Sequence, residues 1–151
     1  MAEKPVVRDQ LIEGAREHIR AHGLGNLTVR ALAAAGSRST MCVYTSFDGR
    51  KGLLTAVYQH VAGELLGALG SGDPEGSYLA YGAAEPTLYS LLFEVDLGTL
   101  DVGPELRRNL LLAVIERLGP DGLAAWPGLH GRICLNRLIG PAEELGAAVA
   151  S

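Results

Sequence analysis

Apolar positions along this chain recur mainly at intervals of three and four residues. No stretch sustains a period-2 alternation of β-branched residues, so the pattern predicts helices and no sheet. Val7, Leu11, Ala15 and Ile19 form one i, i+4 stripe, with Ile12 beside it. They predict a first helix from Pro5 to His22, with Arg8, Glu13, Arg16, Glu17 and Arg20 mostly off the stripe and Gly23 ending it. Thr28 suits the N-cap of a second, short helix, Val29–Ala35, anchored by Leu32. Gly36-Ser37-Arg38 breaks it, and Ser39 caps a third helix from Thr40 to Ser46. There Val43 and Phe47 share an inward face, which leaves Thr40, Met41, Tyr44 and Thr45 outward. Asp48-Gly49 starts a longer helix to Leu69, with Leu53, Leu54, Val57, Val61 and Leu65 as its inner stripe.

The second half is punctuated by glycine and proline. The Gly-rich segment 70–77 reads as a module boundary or flexible loop. A helix from Tyr78 to Ala84 must stop before Pro86, which opens another to Leu97. Pro104 opens a helix through Leu118, Pro120 and Pro127 open two further pieces, the second reaching Ile139, and Pro141 opens the last. The helices Pro104–Leu118 and Pro127–Ile139 are apolar on more than one face. Leu110, Leu111, Val114 and Ile115 on the one, and Ile133, Leu135, Leu138 and Ile139 on the other, therefore mark an expected homodimer interface.

Composition narrows the classes. At 151 residues with 48% hydrophobic and 20% charged residues, the chain has enough apolar material for a core. The longest apolar run, Leu110–Ile115, is far too short to cross a membrane, and the first ten residues hold no apolar signal core. Cys42 and Cys134 are too few and too far apart for a disulfide framework, so a cytoplasmic location is expected. Charge is asymmetric: residues 1–60 hold eight Lys/Arg against five Asp/Glu, and residues 61–151 five against twelve. A polyanion would meet the front of the chain. The sequence holds no G-x-S-x-G, Walker A, H-E-x-x-H or G-x-G-x-x-G, and Gly23-Leu24-Gly25 is only a loop fragment. His18, His22, His60 and His130 have no metal-ligand spacing. No enzyme, metal or cofactor is expected.

Two short helices joined by a tight turn and braced by longer ones are the layout of a helix-turn-helix DNA-binding module. The stretch NLTVRALAAAGSRSTMCVYTSFDGRKGLLTAVY, preceded by VRDQLIEGAREHIRAHGL, resembles the N-terminal domain of the tetracycline-repressor (TetR) family of bacterial transcriptional regulators over roughly residues 6–66. The specific parts are Leu27-Thr28-Val29, Ser39-Thr40-Met41, Val43-Tyr44 followed by Phe47, and Gly52-Leu53-Leu54. Gly36 lies eight residues before Tyr44, one more than the family's turn glycine, while the Leu32–Tyr44 spacing is kept, so the left-handed turn residue is expected at Ser37. The family's lysine at the start of helix 4 falls on Arg50, and Lys51 stands where an acidic residue is common. By resemblance, Thr28, Arg30, Thr40, Tyr44 and Arg50 would meet phosphates, with Lys51 adding charge. Arg38, Ser39, Met41 and Thr45 would meet base edges or the thymine methyl.

Trp126, His130 and Gly131, together with residues 84–93, resemble the C-terminal regulatory domain of a TetR subgroup named for its Trp-His-Gly motif. This half is shorter than the family's usual one. Tyr78, Tyr81, Tyr89, Phe93, Trp126 and His130 are its expected ligand-binding residues, suited to a largely apolar small-molecule effector. The expectation is thus an all-α protein with an N-terminal helix-turn-helix domain at 1–66 and a helical-bundle ligand-binding and dimerisation domain at 67–151. It would act as a homodimeric repressor, released from a palindromic double-stranded DNA operator by the effector. The competing expectation is a helical small-molecule-binding or scaffold protein of the same fold that does not bind an operator.

Overall fold

The computed structural model describes residues 3–140. Among these the fold is all-α: α1 (Glu3–His22), α2 (Val29–Ala35), α3 (Thr40–Phe47), α4 (Arg50–Ala68), α5 (Pro74–Ala84), α6 (Pro86–Phe93), a 3-10 turn (Leu97–Leu100), α7 (Pro104–Leu118) and α8 (Gly122–Ile139). The helix expected from Pro141 lies outside the described residues. The chain forms two compact units, one of the residues up to Glu64 with Glu85–Leu110, the other of Leu65–Ala84 with the chain from Leu111. Two of the three divisions fall inside α4 and α7, the third lies between α5 and α6, and the expected boundary at 66/67 also falls inside α4.

In the first unit the α1 stripe is buried at Leu11, Ala15 and Ile19. Gly23, at φ +86°, ends α1 by donating its N–H to Ile19 O at 2.8 Å. Thr28 caps α2: its Oγ1 accepts from Ala31 N at 3.1 Å. The turn from α2 to α3 takes its left-handed residue at Ser37, φ +56°, as the shifted glycine implied. Gly36 itself is at φ −85°, so conformational freedom is not its use. Its use is closeness: a Cβ at Gly36 would stand 3.1 Å from Gln10 O and Leu11 Cα, and one at Gly14 would stand 2.5 Å from Ala35 O and Gly36 Cα. The backbones of α1 and of the end of α2 approach there so closely that neither glycine has room for a side chain of its own. Gly52 serves the α3–α4 corner in the same way, since a Cβ would stand 1.8 Å from Phe47 O. All five inner-stripe residues of α4 are buried, and so is Tyr58. The Tyr58 hydroxyl donates to Leu92 O at 2.9 Å. The same carbonyl accepts from Arg107 Nε at 2.7 Å, while Arg107 Nη2 reaches Leu91 O at 3.2 Å and Val95 O at 2.7 Å. One guanidinium thus satisfies the carbonyls at the end of α6.

Three helix bounds differ from expectation, each for a local reason. The helix expected at Tyr78 starts at Pro74, because Asp73 Oδ1 accepts from Gly76 N at 2.9 Å and Pro74 lacks the N–H that a first position leaves idle. Half of the expected loop 70–77 is therefore helical. The helix expected to run from Pro86 to Leu97 stops at Phe93, where Glu94 N and Val95 N both turn onto Ser90 O, and a 3-10 turn follows. Pro120 and Pro127 do not open separate pieces. A single helix starts at Gly122 and carries Pro127 inside it, past the first turn, where its missing N–H forgoes the backbone bond to Leu123 O.

In the second unit α5 and α8 pack closely at Gly82, where a Cβ would stand 2.5 Å from Ile133 Cδ1. Tyr78, Leu129 and Ile133 are buried. Of the residues expected at a dimer interface, Leu110, Val114 and Ile133 are buried within the chain itself, whereas Leu135, Leu138 and Ile139 are exposed, as is Leu112.

Candidate nucleic-acid interface

The α2–turn–α3 segment presents its polar face outward because Leu32, Val43 and Phe47 hold the opposite face in the core. Thr40, Met41, Tyr44 and Thr45 are all exposed, Met41 at 66% and Tyr44 at 55%. The Tyr44 ring lies over Gly49, whose backbone leaves it room. Thr45 donates its hydroxyl to Met41 O at 3.0 Å and also lies 3.3 Å from Cys42 O, so its methyl group and an acceptor lone pair remain for a partner. Thr28 caps α2 with its oxygen, which leaves its O–H to donate. Ser39 occupies the N-cap position of α3 without capping it: its Oγ lies 3.5 Å from Cys42 Sγ.

Cations lie on α2, on the turn before α3 and at the start of α4. Arg30 and Lys51 are exposed. Arg38 is oriented from α1, where Gln10 Oε1 accepts from its Nε at 2.8 Å and its Nη2 at 2.5 Å. Arg50, the first residue of α4, donates Nε to Leu27 O at 2.5 Å and pairs through Nη1 with Asp101 Oδ2 at 3.0 Å. Arg8, absent from the expected set, sits 4.2 Å over the Phe47 ring and donates to Ser46 O, adding positive charge at the end of α3. Gln10, Arg8 and Asp101 were missed because their signal is tertiary. All three read as solvated polar residues on their own elements.

The six residues expected to bind an effector are divided between the units. Tyr89 and Phe93 belong to the first, with ring centroids 5.0 Å apart, and Tyr89 is buried. Tyr78, Tyr81, Trp126 and His130 belong to the second. There the Trp126 and His130 rings stack at 5.0 Å and 11°, Trp126 Nε1 donates to the Tyr78 hydroxyl at 2.9 Å, and His130 Nε2 lies 3.7 Å from Cys134 Sγ. A groove of about 180 Å³ in the same unit is lined by Leu79, Gly82, Ala83, Ile133, Asn136 and Arg137. No cluster of three or more metal-ligating side chains occurs among the described residues. No described helix is long and apolar enough to cross a membrane.

No protein-family profile matches the chain, and no curated protein sequence matches it. Among solved structures, the fold is shared with a TetR family transcription regulator from Marinobacter aquaeolei VT8, at a TM-score of 0.61 and 17% sequence identity, over 85% of this chain and 73% of that one.

Proposed function

We propose that this protein is a DNA-binding transcription regulator that uses α3 as its recognition helix. The observation that carries the reading is the outward face of α3. A large thioether side chain and a tyrosine stand in water on a short helix while the same helix buries Val43 and Phe47, and Arg30, Arg38, Arg50 and Lys51 lie on the segments that flank it in the chain. Exposed apolar side chains bordered by like charges mark a surface meant to be covered, and here the charge calls for a polyanion. Arg30, Arg50, Lys51, Thr28, Thr40 and Tyr44 meet phosphates. Arg38, Ser39, Met41 and Thr45 meet bases, Thr45 through its methyl group. The shared fold with a transcription regulator supports this reading.

The finer reading is a cytoplasmic homodimeric repressor on a palindromic operator. Along α8, Ala124, Gly128, Leu135 and Leu138 are exposed with half-buried Gly131 between them, at alternating spacings of four and three, which is the seam a second helix would fill. A largely apolar effector is sensed at Tyr78, Tyr81, Trp126 and His130, in the manner of the Trp-His-Gly subgroup. Effector and operator then weaken each other's binding by the same factor.

The test is selection of duplexes from a random DNA pool, followed by titration at several salt concentrations. Affinity should fall steeply with salt. Lys51→Ala should weaken all duplexes alike, whereas Met41→Ala should change the preferred sequence at a cost of about 1–3 kcal/mol. Failure to enrich any sequence, with weak and salt-insensitive binding, refutes the proposal.

A further inference from the structure

The contact between Arg50 and Asp101 joins the proposed DNA surface to a segment far from it in sequence. Asp101 is held where it is by its own turn. Asp96 Oδ1 accepts from Gly98 N at 2.9 Å, Thr99 Oγ1 donates to Asp96 O at 2.7 Å, and Val102 N donates to Leu97 O at 3.0 Å. Leu97, Leu100 and Val102 anchor the turn in the core. Asp101 itself is left-handed, at φ +56°, a conformation that glycine adopts most cheaply. The position therefore carries a carboxylate at some conformational cost, and that carboxylate meets Arg50 Nη1 at 3.0 Å.

Arg50 is also gripped from behind, because Nε donates to Leu27 O. With Nε bound to a backbone carbonyl and Nη1 to a carboxylate, Arg50 keeps Nη2 for a phosphate, which would meet a guanidinium whose charge Asp101 already offsets. The Asp101 side chain is 64% exposed, whereas the Arg50 side chain is 27% exposed, so the acidic partner is the more open of the two to an approaching strand.

We propose that Asp101 is an electrostatic latch on Arg50, with which a DNA phosphate must compete for the guanidinium charge, and that the turn 96–102 thereby sets the affinity of the α3–α4 surface for DNA. This rests on the DNA-binding reading above. Asp101 acts through Arg50 and is a positioning residue rather than a contact.

The experiment is a double-mutant cycle on the full chain, titrated with the selected duplex and with an unrelated one. Asn tolerates the left-handed conformation, so Asp101→Asn removes the charge and keeps the turn. A surface pair of this kind is worth enough to raise affinity roughly two- to fivefold on both duplexes. The slope of log affinity against log salt should steepen by up to about 0.9, one further phosphate neutralised. In an Arg50→Ala background the same substitution should change neither affinity nor slope. If Asp101→Asn weakens DNA binding, the carboxylate helps to present Arg50 and the latch is wrong. If it raises affinity equally in the Arg50→Ala background, Asp101 acts by simple repulsion and the latch is again wrong. Both results leave DNA binding standing. An unmutated protein that binds neither duplex removes the functional reading and the latch together.

Discussion

Gly14 sets a helix preference against a close approach, and magnitude decides between them. It lies in the interior of α1, where replacing glycine by alanine ordinarily stabilises by about 1 kcal/mol through backbone entropy. At this position the new Cβ would meet Ala35 O, Gly36 N and Gly36 Cα, all at 2.5 Å and all backbone. No rotamer change relieves a clash with backbone, so α1 and α2 must separate. Such overpacking costs about 3 kcal/mol, the upper end of the usual range, because the obstructing atoms are rigid. The net expectation for Gly14→Ala is a loss of about 2 kcal/mol, a fall in Tm of roughly 4–8 °C. Gly63→Ala is the control. It lies on an exposed face of α4 with no atom within 4 Å of the new Cβ, so the same substitution should stabilise by up to about 1 kcal/mol. Thermal unfolding of the two variants side by side tests the reasoning, because propensity alone predicts the same sign for both. A Gly14→Ala protein at least as stable as the unmutated one would refute the α1–α2 contact.

Arg107→Met should destabilise by about 2–4 kcal/mol in urea titration, since three carbonyls at the end of α6 lose a shared donor. Tyr58→Phe should cost only about 1 kcal/mol, because Leu92 O keeps its bond from Arg107. Burial pushes the Tyr58 hydroxyl up to about 12, against the opposing pull of nearby Arg107. With the folded value raised above the unfolded one, stability is intact below pH 10 and falls as pH rises from about 10 to about 12, and Tyr58→Phe should flatten that fall. For assembly, sedimentation should give a dimer at micromolar concentration and a monomer for Leu135→Glu/Leu138→Glu; a monomeric unmutated chain rejects the α8 seam. For the effector, Trp126 is the only tryptophan, so its fluorescence should change when a hydrophobic dye such as ANS binds at saturable affinity. His130→Ala should lose that response without losing stability, and a loss of stability with the response intact makes His130 a core residue.

Helix order was legible because it is written in short-range chemistry. The cap at Thr28 and the stripes Leu11–Ala15–Ile19 and Leu53–Leu54–Val57–Val61–Leu65 depend only on residues within two turns, and each lies where the pattern put it. Pro127 was misleading for a physical reason. Proline favours the first turn of a helix, so the sequence pointed to a new start there, and only the backbone bonding of Ala124 and Ala125 to Asp121 O shows that the helix has already begun. Gly14 and Gly36 were opaque in another way. A glycine in a helical stretch carries the same letter whether it is a tolerated weakness or the point where two backbones meet.

The surface of α3 was legible down to single side chains, since an eight-residue helix with two buried anchors has only one face left to show. The groups that orient its charges were not. Gln10 reaches Arg38 across 28 residues and Asp101 reaches Arg50 across 51, and no periodicity or cap connects either pair. The asymmetry follows from how charged surfaces are built. Apolar residues must find one another for the chain to fold at all, so their pattern is repeated at every turn of every helix. A charge partner is worth little to stability at the surface, and so leaves no repeated trace in sequence. Its effect is on what the paired charge can still bind. At Asp101 that effect is separable from stability by one substitution, which tests it in solution at the turn rather than at the recognition helix.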